Sequence, residues 1–311
     1  MKKLFRLLQE VFFLLFILTF FFTILEFTGA QGFLRKLNYP APVYNGKEYF
    51  DPSLQRINSV KKLVTYCDSI YNVSTDQQKL GYNIGYTRVV REAVRNRFYH
   101  GYSTYSIGNN YLALFGDLAY RPSVNYGAGL SAIVIPDEIM KYPFAACSQQ
   151  CIILMEALEE KGFSVRPIGF RGNARTGGHF CLEVYFENSW HFFDPDLEPD
   201  YTVFASHNYP DAKFLATHTD VMLEAYAKHP PEKMLTLFSN YKYGATNKFP
   251  AAKARIFQYV TFFLSYTLWI FFGLAFILIR RKNLALSNKY VRNSRVFIPH
   301  LQERESSLHN A

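Results

Sequence analysis

Two apolar runs near the ends of this chain limit what it can fold into more than any other feature. The first, Val11 to Phe27 (VFFLLFILTFFFTILEF), carries no charge before Glu26 and follows Lys2, Lys3 and Arg6. The second, Ile256 to Ile279 (IFQYVTFFLSYTLWIFFGLAFILI), carries no charge and is followed at once by Arg280, Arg281 and Lys282. A helix needs about 20 apolar residues to cross a hydrocarbon core of about 30 Å. The second run satisfies this, and the first sits at the short end of the range. Phe and Leu occupy every face of both, which suits lipid rather than the one-sided burial of a soluble core helix. The expected division is a cytoplasmic N-terminus (1–10), a transmembrane helix or signal anchor (11–29), an extracytoplasmic domain (30–250), a transmembrane helix (256–279) and a basic cytoplasmic tail (280–311). The alternative for the first run is a cleaved signal peptide with Thr28-Gly29-Ala30 as its small-residue exit. The tail is poor in apolar residues and is expected to be disordered.

The distribution of charge supports this division and removes another function class. The 311-residue chain has 34 Lys+Arg against 25 Asp+Glu, a net +9. So basic a chain suggests nucleic acid. Residues 31–249, however, hold 22 Lys+Arg and 21 Asp+Glu, and the two ends hold the other 12 and 4. Lys and Arg beside an apolar span mark the cytoplasmic side. The excess therefore predicts membrane orientation, with both termini cytoplasmic and lipid as their partner, and no nucleic-acid partner.

Within the middle domain, 31–52 is punctuated by Pro, Gly and Asn and reads as an extended connector. Helices are expected over 54–66, 81–98 and 110–120, a loop over 122–129, a short strand over 132–135 and a helix start at Pro136. Arg88, Arg91, Arg95 and Arg97 alternate with Ile84, Val89, Val90 and Val94 and read as a solvated face. Residues 148–161 form an apolar helix stopped by Gly162. Strands are expected over 163–170, 179–186 and 190–193, with RGNARTGG (171–178) joining the first two and Glu187-Asn188-Ser189 turning between the last two. This is one helix followed by a three-stranded antiparallel meander. Helices return over 220–228 and 232–241.

Three reactive side chains fall at the boundaries of these elements. Cys147 stands at the start of the apolar helix, where unpaired N–H groups and the helix dipole favour a thiolate. His179 opens the second strand and Asp194 closes the third. The hairpin sets His179 beside Asp194, and a helix packed on the sheet brings Cys147 to the same edge. The set supplies a nucleophile, a base and a carboxylate to orient the base.

The order and spacing from Ala145 to Pro199 resemble the transglutaminase-like, papain-related cysteine hydrolase superfamily. The shared features are Cys147 with Gly162 fifteen positions on, Val165-Arg166-Pro167 at the family's Arg-bearing strand, His179 leading into Glu183, and Trp190 leading into Asp194-Pro195. The chain departs from the pattern at Phe180-Cys181, where many members have a small residue and a Trp, and at Ala146, where a Gly often precedes the nucleophile. The resemblance implies an α+β papain-like transglutaminase core, here with extra helices and two flanking transmembrane helices. It implies Cys147 as nucleophile, His179 as general base and then acid, and Asp194 as orienting carboxylate. It also implies an upstream aromatic as an oxyanion donor beside the backbone N–H of Cys147, for which Tyr142 is the candidate; Trp190 and Tyr142 are both candidates to pack beside the thiol.

The remaining candidates have plainer readings. Cys151 and Cys181 read as core, Glu183 as a structural carboxylate, His191 as an exposed hairpin residue, and Asp196 and Glu198 as a solvated acidic turn. A Cys₃His zinc site of Cys147, Cys151, His179 and Cys181 lacks the usual knuckle turn, so no metal and no cofactor are expected. Four cysteines (67, 147, 151 and 181) outside the cytoplasm could pair, and a Cys67–Cys181 bridge would leave Cys147 free. The expected function is a membrane-anchored thiol protease, amidase or acyltransferase acting on a peptide or amide through a thioester. The alternative is a non-catalytic scaffold in a cell-envelope or export assembly, with envelope proteins as partners.

Overall fold

Caps and turns set the element ends in the computed structural model, which describes residues 2–28, 38–46, 48–120 and 129–308. Gly29 and Ala30 of the signal-exit reading, 31–37 and Lys47 of the connector and 122–128 of the expected loop lie outside the described residues. The first helices are α1 (Lys2–Thr28), α2 (Val60–Val73), α3 (Thr75–Lys79), α4 (Tyr82–Arg97), α5 (Tyr111–Tyr120), α6 (Pro136–Ile139) and α7 (Cys147–Glu160). Three strands follow, β1 (Ser164–Phe170), β2 (His179–Phe186) and β3 (Ser189–Phe193). The chain ends with α8 (Tyr201–Ser206), α9 (Ala212–Thr217), α10 (Thr219–Ala225), α11 (Pro231–Phe238), β4 (Tyr241–Tyr243) and α12 (Ala252–Leu308). The class is α+β.

Several expectations are corrected. The helix expected from Leu54 is two elements, because Asp51 caps a 3₁₀ turn over Pro52–Arg56 and Ser59 separately caps α2 by accepting from Lys62 N–H. The strand expected over 132–135 is a single bridge between Thr104 and Ala132. The arginine face of α4 is partly internal, since Arg91 and Arg97 are 6% and 1% exposed. Arg97 caps carbonyls from two segments, donating to Ile57 O at 3.1 Å, Tyr142 O at 2.9 Å and Met140 O at 2.7 Å. The tail expected to be disordered continues α12 as helix to Leu308. After Gly273 the sequence has no glycine to its end, and a scarcity of apolar residues weighs against a packed core rather than against a helix.

The sheet is antiparallel in the order β3-β2-β1-β4. It exceeds the expected meander by β4, three residues that pair Tyr241 with Phe170 and Tyr243 with Ile168. The β2–β3 turn places Glu187 and Asn188 at φ of 51° and 59°, the paired left-handed residues of a two-residue hairpin.

The described chain forms two compact units. The first comprises Met1–Asn38, Ser106–Leu114 and Val260–Ala311. In it α1 and α12 run antiparallel, since Thr23 donates to Ser265 O at 2.8 Å near one end and Asn283 donates to Gln9 Oε1 at 2.8 Å near the other. Phe13–Phe276 and Phe20–Trp269 ring pairs lie between these bonds, and Gly273 lets the Phe16 ring approach closely. Both helices are long and apolar enough to cross a membrane.

The second unit comprises Tyr39–Tyr105 and Phe115–Tyr259. Its centre is α7 laid on the sheet. Ile153, Leu154, Ala157 and Leu158 of α7 and Val165, Ile168, Leu182, Val184, Phe192 and Phe193 of the strands are fully buried. Each larger side chain contributes about 1.5–3 kcal/mol by leaving water. The Cys151 thiol donates to Phe180 O at 3.0 Å, which ties the second turn of α7 to the start of β2.

Candidate active site

The hairpin register places two of the three expected residues. Leu182 pairs with Phe193 in the antiparallel β2–β3 ladder. One step further sets Cys181 opposite Asp194, and alternation puts His179 on the same face, diagonal to Asp194. His179 Nε2 lies 2.8 Å from Asp194 Oδ2, with both side chains buried. Asp194 is held on every side. Its Oδ1 accepts from the backbone N–H of Asp196 at 2.9 Å and of Leu197 at 3.1 Å. Its Oδ2 also accepts from the Tyr226 hydroxyl at 2.9 Å, and its own N–H donates to the Tyr201 oxygen at 2.9 Å.

Helix α7 supplies the third residue. Cys147 is its first residue and Ala146 its N-cap, so the first N–H groups of the helix have no intrahelical acceptor. The start is fixed by Gln149. Its Oε1 accepts from Ala146 N–H at 3.1 Å and Ser103 N–H at 2.9 Å, and its Nε2 donates to Ser103 O at 2.8 Å and Ile133 O at 2.7 Å. Cys147 Sγ, a His179 ring nitrogen and an Asp196 carboxylate oxygen lie within 4.8 Å of one another. Nε2 faces Asp194 and Nδ1 lies 4.0 Å from Asp196 Oδ2, so Nδ1 is the nitrogen on the side of the thiol.

The electrostatics follow from burial and pairing. Burial opposes the charged form of His179, but the Asp194 carboxylate and its hydrogen bond outweigh it and hold the imidazole well above its ordinary value. Burial likewise disfavours the Asp194 carboxylate, yet His179 and the two backbone N–H donors hold it below the usual carboxylate range. Burial pushes the Cys151 and Cys181 thiols well up, and the Cys67 thiol to about 12. All four cysteines are free, so the Cys67–Cys181 bridge is absent, and Cys147 alone of the four is not buried.

A cleft of about 780 Å³ opens over Cys147 and His179, lined by Tyr102, Ser148, Phe170, Phe180, Lys242 and the loop 171–178. The loop is closed by Asn173, whose Oδ1 accepts from the N–H groups of Arg175 at 2.9 Å and Thr176 at 3.0 Å. A Cβ on Gly172 would meet the Gly177 carbonyl at 1.5 Å, so the ring of backbone beside His179 requires glycine there.

The structure thus brings Cys147, His179 and Asp194 together. It places the two supporting aromatics elsewhere. The Tyr142 hydroxyl donates to Thr104 O at 3.4 Å and its ring packs on Phe144. Trp190 lies over the Arg166 guanidinium at 4.1 Å and against Tyr185. Neither lines the cleft, whereas Tyr102 does. Glu183 bridges Arg166 at 2.6 Å and Ala212 N–H at 2.7 Å and is structural. His191, expected on the surface, is 6% exposed, and its Nδ1–H donates to Tyr209 O at 2.7 Å. Asp196, expected in water, has a side chain only 6% exposed. Its Oδ1 lies 2.8 Å from His100 Nδ1 and accepts from Gln150 Nε2 at 3.1 Å. That contact holds the His100 imidazole above its ordinary value. Glu198, the other residue of that turn, pairs with Arg95 at 2.7 Å.

Gln149, Tyr102, Asp196 and His100 are the site residues that sequence reasoning missed. Only Gln149 carried a signal, a Gln at the third helical position, where a side chain can reach back to the N-cap N–H.

No protein-family model matches the chain, and no curated protein matches it by sequence. Among solved structures it is similar to one described as "Crystal structure of a TGase", with a TM-score of 0.31 and 11% identity. That similarity covers 54% of this chain and 37% of the other, so the chain spans well under half of its neighbour's length. A TM-score this low carries no argument, and the functional reading rests on the geometry of the site.

Proposed function

We propose that the chain is a membrane-anchored, transglutaminase-like thiol enzyme that transfers an acyl group from an amide or peptide. One observation carries this reading. His179 is held by a buried carboxylate through Nε2 and presents its other face to a half-exposed cysteine on the floor of a cleft. A cleft of about 780 Å³ falls within the usual range for small-molecule and peptide-segment sites. The Cys147 sulfur attacks the amide carbon, and the thiol proton passes to His179 Nδ1. The carbonyl oxygen takes up negative charge facing the backbone N–H of Cys147 at the helix start. His179 then returns the proton to the departing amine as the C–N bond breaks, leaving a thioester on Cys147. Water or an acceptor amine attacks the thioester, gives its proton to His179 and restores the thiol. Asp194 keeps the imidazole in the tautomer that presents Nδ1 and stabilises the cation formed at each step.

A non-catalytic scaffold would tolerate a sulfur more than about 5 Å from the imidazole with no cleft above it, since it needs no nucleophile–base contact. The 4.8 Å limit and the open cleft support the enzyme instead. The basic ends support a topology with both termini in the cytoplasm and the catalytic unit outside it.

Iodoacetamide at neutral pH tests the nucleophile. Cys147 is expected to alkylate at least tenfold faster than an unperturbed thiol such as glutathione, and His179→Ala to remove that advantage. Alkylation no faster than glutathione, together with unchanged biological activity of Cys147→Ala, would sink the enzyme reading.

A further inference from the structure

We propose that Cys147, His179 and Asp196 form a three-ligand site for a thiophilic divalent cation of the Zn²⁺ class, with its fourth position open to the cleft. This proposal does not depend on the catalytic reading, because it concerns what the same three atoms bind at equilibrium.

The donors converge. Sγ, a ring nitrogen and a carboxylate oxygen lie within 4.8 Å of one another, and the His179 Nδ1–Asp196 Oδ2 pair is at 4.0 Å. Around a tetrahedral ion with bonds of about 2.0–2.3 Å, donors sit about 3.5 Å apart. Closing the site therefore takes shifts of about 1 Å or less. Thiolate, imidazole and carboxylate together select Zn²⁺ or Co²⁺ over Mg²⁺ or Ca²⁺, which prefer oxygen alone.

Each donor already has the outer support that metal ligands need. Asp194 accepts from Nε2–H of His179, so Nδ1 is the ring atom that faces the thiol and is left to bind the ion once its proton has gone. Asp196 has its Oδ1 engaged by His100 at 2.8 Å and Gln150 at 3.1 Å, which turns Oδ2 toward His179. Cys147 is fixed by the Gln149-anchored helix start. His179 and Asp196 side chains are each 6% exposed while Cys147 is more open, so the vacant coordination position faces the cleft.

The ligand set differs from the Cys₃His set weighed from sequence. Cys151 spends its thiol on Phe180 O inside the core. Cys181 forms a second buried cluster with His179 and Asp194, but Asp194 there already accepts four hydrogen bonds. When the ion binds, the proton held between Cys147 Sγ and His179 Nδ1 leaves to solvent, and the sulfur and Nδ1 lone pairs both make metal bonds. That sulfur can then no longer attack a carbonyl. Zn²⁺ thus acts as a reversible block on the thiol, lifted by any stronger chelator.

The test uses the full chain in detergent, stripped with a chelator and then titrated with Zn²⁺ and Co²⁺. The expected result is one ion per chain and a thiolate-to-Co²⁺ charge-transfer band. Cys147→Ser should abolish the band, and Asp196→Asn should weaken binding at least tenfold. His100→Ala, which lies outside the coordination shell, should weaken it about 10–100-fold and serves where Asp196→Asn does not fold. Cys67→Ala should bind like the wild type. Absence of the band at saturating Co²⁺, or a band that survives Cys147→Ser and disappears in Cys181→Ala, overturns the site. Iodoacetamide separates this proposal from the catalytic one. Fast alkylation in chelator that Zn²⁺ does not slow removes the metal site alone. Slow alkylation in chelator with intact metal binding removes the nucleophile alone.

Discussion

At the scale of single residues, Asp194 is the group on which the site depends most. A carboxylate with no exposure survives in the interior only because three donors and the imidazole compensate for lost water. Asp194 and His179 make opposite demands on pH. His179 is raised above its ordinary 6.5, so its contribution to stability is complete below that pH and is lost as pH rises through the folded value. Asp194 is lowered from 3.8, so its contribution is present above that pH and is lost as pH falls through the folded value. The pair therefore contributes fully between about pH 4 and 6.5. Denaturant unfolding of the wild type and Asp194→Asn across pH 3 to 9 should show the largest gap in that window, narrowing on both sides. A gap that is flat with pH would mean that the pair is not an ion pair. The variant's acyl-transfer rate should fall on the order of 10³–10⁴-fold, because the imidazole loses the group that selects its tautomer.

At the scale of elements, Gln149 decides where α7 begins, and therefore where Cys147 sits. Its amide satisfies Ala146 N–H, both backbone groups of Ser103 and the carbonyl of Ile133. Gln149→Ala leaves three of these buried groups without partners, since Ser103 O still accepts from Ile133 N–H at 3.0 Å, and each costs about 1–3 kcal/mol where water does not reach. A net loss of roughly 3 kcal/mol and a fall in Tm of about 6–12 °C are expected by thermal unfolding. An unchanged Tm would show that the Ser103 segment is held by something else. The same comparison shows what the sequence could reveal. The apolar run of α7, the Gly162 stop and the hairpin turn at Glu187-Asn188 are local signals, and they were enough to set His179 and Asp194 on neighbouring strands. Gln149 has a local signal for its N-cap bond but none for Ser103, and His100 and Asp196 are polar residues with ordinary local surroundings. Their partners lie up to 96 residues away, so no local pattern records them. Asp196 in particular sits in an acidic turn that reads as surface, and only the fold shows it against His100 and Gln150. Strand β4 was missed for a different reason. Its three residues are too few for an alternating pattern and gain their place from pairing with β1.

At the scale of the whole molecule, the antiparallel pairing of α1 with α12 makes a topological prediction. Asn283 reaches Gln9 near one end of the pair and Thr23 reaches Ser265 near the other. If both helices span, the two termini share one side of the membrane, and the Arg280-Arg281-Lys282 cluster assigns that side to the cytoplasm. Epitope tags at both ends, expressed in cells whose outer face is open to added protease, test this directly. Both tags should survive until the membrane is permeabilised, while the fragment carrying Cys147 is digested from outside. One protected and one exposed tag would mean that α1 is cleaved or does not cross. Reversing the charge with Arg280→Glu, Arg281→Glu and Lys282→Glu together should expose a fraction of the C-terminal tags, because this is the basic cluster that directly flanks the second span. The first span has only Lys2, Lys3 and Arg6 before it. If the triple reversal leaves both tags protected, orientation comes from the first span or from Lys289, Arg292, Arg295 and Arg304, and not from the cluster beside Ile279.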